Sequence, residues 1–156
     1  VKKEKESLET RLSQVSGADG NNKLLTAVIK AANLYISNDS TGAAEAIADV
    51  DVSSLPVEEA KTLYNTISGA TMMNAANDLY NRGMTAYNKA DYTTAADLLV
   101  RAYKCDKTKA DAVFYAAKSY VALNQPDNAK KYYQIIADEF KSSGYVTEAQ
   151  AYVQSH

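Results

Sequence analysis

The sequence predicts an all-α fold: an array of helical hairpins (an α-solenoid) with an N-terminal helical arm and a C-terminal capping helix. Three observations carry that expectation. A pattern returns after 34 residues, small side chains stand where paired helices would cross, and the composition favours helix along the whole chain. Of the 156 residues 46% are hydrophobic, enough for one continuous core, and only two are proline. Abundant alanine adds to the helical bias, because alanine loses no side-chain entropy in a helix. The twelve tyrosines suit half-buried sites between helices, where the ring packs and the hydroxyl stays wet.

The repeat is read by laying residues 76–109 over residues 110–143. Leu79 returns as Val113, Tyr80 as Phe114, Gly83 as Ala117, Ala95 as Ala129, Leu99 as Tyr133 and Ala102 as Ile136. Apolar stays apolar and small stays small. Each unit then reads as two antiparallel helices. In the first, a helix over residues 76–89 turns at Ala90-Asp91 into a second over residues 92–105. Gly83 and Ala95 are small because a bulky side chain at a helix crossing would hold the backbones apart. Ala117 and Ala129 do the same in the second unit, where the turn falls at Asn124–Asp127. Pro126 suits a helix start, where its missing N–H is not needed, and Asp127 puts negative charge in the first turn.

Residues 24–57 give a fainter copy, with Ala31 at the first crossing, Asn38-Asp39 at the turn, Ala43 opening the second helix and Pro56 closing the unit. From Ala60 through Leu63, Tyr64, Ile67, Thr71 and Ala75 to Leu79 one helical stripe continues. This predicts either one long helix over residues 57–89 or two helices broken near Gly69, since a single glycine costs only about 1 kcal/mol. Ser142-Ser143-Gly144 stops a helix. Residues 145–154 form the capping helix, with Tyr145, Ala149, Tyr152 and Val153 inward.

Residues 1–16 form the arm. Val1, Lys5, Leu8, Leu12 and Val15 follow coiled-coil spacing over two heptads, and Gly17 to Gly20 supply a flexible joint. Two readings stand: a helix packed on the first repeat, or the end of a longer stalk that makes a homo-oligomer or leads to a membrane anchor. The chain opens on Val1 within a charged helical pattern, so it reads as a piece of a longer protein.

The stretch from Asn81 to Ala95, with Gly83, the Ala90-Asp91-Tyr92 turn and Ala95, resembles the tetratricopeptide repeat. Ala117, Tyr120, Ala129 and Ala137 carry the second copy. The resemblance covers residues 76–143 and departs from the pattern at two places. Leu79 and Val113 replace the usual tryptophan, and Lys107 and Lys141 lie where a proline usually ends each unit. The run from Phe140 to Gln150 is similar to repeat junctions of bacterial periplasmic and lipoprotein-type members. That implies a place in the bacterial cell envelope, outside the cytoplasm.

Such repeats are non-enzymatic protein-interaction modules, and the resemblance places their partner-binding groove on first-helix positions that match Asn77, Tyr80, Asn81, Met84, Asn88, Asp111, Phe114 and Lys118. Rings give apolar contact there, Asn amides can bond an extended backbone, and Met adapts its shape. Tyr80 and Phe114 have a second reading, as packing between neighbouring helices. Members that clamp a chaperone's C-terminal carboxylate use cations where this chain has Tyr80, Met84 and Phe114, so that ligand is not expected.

Catalysis has no candidate. The lone histidine is His156 and the lone cysteine Cys105, so neither a nucleophile–histidine pair nor a histidine metal cluster can be drawn. No cofactor or metal is expected. Asp49-Val-Asp51-Val-Ser53 starts like a calcium loop but has Ser54 where glycine is needed and Ala60 where the bidentate glutamate belongs. Glu58-Glu59 sit at a helix start, where the dipole favours them. Asn38-Asp39-Ser40 matches a glycosylation acceptor at a predicted turn. With 17 basic against 19 acidic residues and no basic stripe, nucleic acid is not an expected partner. No run approaches the roughly 18 apolar residues of a membrane span.

Overall fold

The computed structural model describes residues 2–16 and 22–156, so the joint predicted over residues 17–20 lies outside them. Among the described residues there are eight α-helices and no strand: α1 (Lys2–Ser16), α2 (Lys23–Ile36), α3 (Ser40–Ile47), α4 (Glu58–Asn88), α5 (Tyr92–Cys105), α6 (Ala110–Ala122), α7 (Pro126–Glu139) and α8 (Val146–Ser155). One 3-10 turn, Val52–Ser54, precedes α4. The chain divides after Ala75 into two units, and α4 contributes residues to both.

Three hairpin turns share one construction. Asn38, Ala90 and Asn124 each adopt a left-handed φ, at 68°, 58° and 53°. The next N–H in each reaches back five residues, from Asp39 to the Leu34 carbonyl at 2.8 Å, Asp91 to Ala86 at 3.0 Å and Gln125 to Tyr120 at 2.9 Å. This closes the helix with a six-to-one bond and frees the chain to reverse. Asp39 and Asp91 then cap the following helices by accepting the Gly42 and Thr94 N–H groups at 2.8 and 3.2 Å. Pro126 opens α7, as its ring geometry favours.

In unit one, Leu8 and Val15 of α1 are buried with Leu25, Val28, Ala31, Ala43, Ile47, Leu63 and Ile67. Lys5, which interrupts the heptad seam, donates from Nζ to the Ile36 carbonyl at 3.0 Å and to Asn38 Oδ1 at 3.1 Å. Its charge thus meets the negative end of α2. The apolar stripe of the arm is used inside the unit. Asp51 accepts from the Ser53 N–H and from the Ser53 and Ser54 hydroxyls, so this carboxylate shapes the 3-10 turn.

The α4 helix runs unbroken through Gly69, where an added Cβ would meet nothing within 4 Å. Leu63 and Ile67 before Gly69 and Thr71, Ala75 and Leu79 after it are buried, and their burial outweighs the glycine's cost of about 1 kcal/mol. In unit two the crossing residues Ala95, Ala117 and Ala129 are fully buried. A Cβ on Gly83 would lie 2.8 Å from Leu99 Cγ and 3.3 Å from Leu98 Cβ, so α5 approaches α4 closely at that point. Helix α6 packs on both α5 and α7, and α8 packs on α7.

Candidate functional site

All eight residues expected in the groove lie in unit two, on α4 and α6. Asn77, Asn81 and Asn88 are exposed and Met84 is half-buried. Their spacing of four, three and four residues puts 77, 81, 84 and 88 on one face of α4. Tyr80, Asp111, Phe114 and Lys118 are drawn together with residues of α8 and its lead-in.

Phe114 is only 6% exposed, which favours its packing role over direct contact with a partner. Its ring stacks on Tyr145 at 4.1 Å and 15° and meets Tyr115 and Tyr133 edge-on. Tyr145 also donates its hydroxyl to Asp111 Oδ1 at 2.7 Å. Lys118 lies over the Phe114 ring at 5.3 Å and pairs with Glu148 at 3.4 Å, and Glu148 accepts the Tyr133 hydroxyl at 3.1 Å. Tyr80 is half-buried, with the Lys109 ammonium 5.3 Å from its ring centre. Tyr87 meets Tyr115 edge-on at 5.2 Å, joining the α4 and α6 sides of the face. Rings arranged this way keep a fixed surface at little entropic cost.

Tyr115, Tyr145 and Glu148 were not among the expected site residues. A signal for them existed, since each lies 34 residues after one that was: Asn81, Asp111 and Phe114. The α8 helix and its lead-in thus bring Tyr145 and Glu148 against Asp111, Phe114 and Lys118.

Several phenols are held above their ordinary ionisation range. Burial raises Tyr64, Tyr80, Tyr120 and Tyr132, assisted by nearby acidic side chains or phenols. Burial, with the hydrogen bond to Glu139, pushes Tyr103 up to about 12. Burial and Glu148 raise Tyr133 further, and the bond to Asp111 does so for Tyr145. A phenol whose folded value exceeds its unfolded value of about 10 contributes fully below that pH, and its contribution is lost as the pH climbs through the folded value. Six of these seven tyrosines follow Ala75, so unit two is expected to lose stability first between about pH 10 and 12. Tyr103 accounts for on the order of 2 kcal/mol of that loss. Urea titrations at stepped pH check this, and Tyr103→Phe should flatten the slope; a flat wild-type profile would contradict it.

No helix among the described residues is long and apolar enough to cross a membrane. No protein-family model, no curated protein and no solved structure matches this chain.

Proposed function

We propose that this protein is a non-enzymatic interaction module, a tetratricopeptide-like helical array that binds an extended peptide or a partner segment along the face formed by α4, α6 and α8. One observation carries the reading: α4 presents exposed Asn77, Asn81 and Asn88 beside half-buried Tyr80 and Tyr87, and Tyr87 meets Tyr115 of α6 edge-on. An extended backbone has donors and acceptors at every residue, which Asn amides can satisfy in pairs, while its side chains find ring faces. Asn is a poor helix former, so three of them on one face of α4 carry a local cost that a partner's hydrogen bonds would offset.

A purely structural role, with residues 1–16 assembling copies of the chain, draws less support. That reading needs Leu8 and Val15 for contacts between chains, and both are buried within unit one.

Selection of binders from a random displayed peptide library on the purified chain, followed by calorimetric titration, tests the reading. In the double variant Asn81→Ala, Asn88→Ala the selected peptides should bind about tenfold or more weakly, as expected for two lost hydrogen bonds, with the thermal midpoint nearly unchanged. Undiminished binding would move the site off this face.

A further inference from the structure

Within the proposed groove, one unpaired charge sits among several rings. Asp111 is exposed in the first turn of α6 and forms no ion pair among the described residues. One of its oxygens accepts the Tyr145 hydroxyl, and an ionised carboxylate accepts about four hydrogen bonds, so most of its capacity stays open. After burial, the charge of Asp111 is the next cause that holds the Tyr80 phenol above its ordinary ionisation range. Lys118 is engaged by Glu148. Lys109, two residues before Asp111, holds its ammonium over the Tyr80 ring at 5.3 Å, so a cation already rests on that ring.

Building on the groove reading, we propose that Asp111, with the rings of Tyr80 and Tyr145, is the subsite for a basic side chain of the bound peptide, arginine in preference to lysine. In the free protein Lys109 occupies the Tyr80 ring in its place. A guanidinium meets a carboxylate through two parallel hydrogen bonds while its flat face lies on an aromatic ring, and a single ammonium cannot do both. An acidic side chain here would face Asp111, and a neutral one would leave the carboxylate unmatched. The lysine on Tyr80 is then a competitor built into the chain, released when the stronger cation–ring partner arrives.

Titration of the 15N-labelled chain with acetyl-Gly-Arg-Gly-amide, and with its Gln and Glu counterparts, tests this by backbone amide shifts. The Arg peptide should saturably shift the amides of Tyr80, Asp111 and Tyr145, binding at least about fivefold more tightly than the other two. Asp111→Asn, which keeps an acceptor for Tyr145, should weaken it about fivefold. Lys109→Ala should tighten it about threefold by removing the competitor. Lys107→Ala takes the same charge from the Tyr103 ring instead and should change nothing. Equal responses to the three peptides overturn the subsite, and so does a Lys109→Ala affinity no better than that of Lys107→Ala. If library peptides bind through Asn81 and Asn88 without favouring arginine, this inference fails and the groove stands. If no peptide touches the face, both fail.

Discussion

Gly83→Leu is expected to lower the stability of unit two by about 2–3 kcal/mol, while Gly69→Ala on the same helix raises stability by about 1 kcal/mol. At Gly83 the first added atom already falls 2.8 and 2.9 Å from Leu99 Cγ and Cδ2, and Leu99 is fully buried. A leucine adds three more carbons to that contact. The backbones must separate or Leu99 must leave its rotamer, and either cost exceeds the fraction of a kcal/mol to about 1 kcal/mol gained by replacing a helical glycine. At Gly69 no neighbour lies within 4 Å, so only the gain remains. Urea unfolding followed by near-UV tyrosine circular dichroism reads unit two selectively, because ten of the twelve tyrosines follow Ala75. An unchanged midpoint for Gly83→Leu would mean that α4 and α5 do not cross there, and the 34-residue register would fall with it.

The second large effect is expected in the arm. Leu8 is 2% exposed and shares its core with Leu25, Val28 and Ile47, so Leu8→Ala should cost unit one about 3 kcal/mol. Part of that is lost transfer energy and part is the cavity left behind. Hydrogen exchange of the α2 amides reads it, since α1 packs on α2. Light scattering should show the same mass for Leu8→Ala and the parent. A drop in mass with protection of α2 unchanged would return the arm to a role between chains.

The difference between these sites shows what a sequence carries. The three hairpin turns were legible because their chemistry is local. Asn38 and Asn124 tolerate a left-handed backbone, Asp39 and Asp91 cap α3 and α5, and Pro126 can open a helix without its N–H. Ala90 also adopts positive φ without such chemistry, although it stands 34 residues before Asn124. The crossing residues were legible for a related reason, because close approach of two helices leaves so few side chains to choose from.

The candidate site was legible only in part. The family resemblance pointed to Asn77, Asn81, Met84 and Asn88, and they are exposed or half-buried on one face of α4. It did not decide the fate of Phe114, which depends on Tyr145 lying flat against it from 31 residues away. A ring that contacts a partner and a ring covered by a neighbouring helix leave the same trace in a 3.6-residue pattern.

From its sequence alone this protein was an all-helical chain with set turns and small residues at a 34-residue interval, because helix propensity and turn chemistry depend on residues within a turn or two of one another and the interval is read directly along the chain. Tertiary structure decided three further things: that α4 continues past Gly69, that the arm's apolar stripe is buried in its own unit, and that Tyr145 and Glu148 join Asp111, Phe114 and Lys118. Each turns on what lies opposite a side chain, and burial against a distant segment outweighs the local preference of about 1 kcal/mol that a sequence can express.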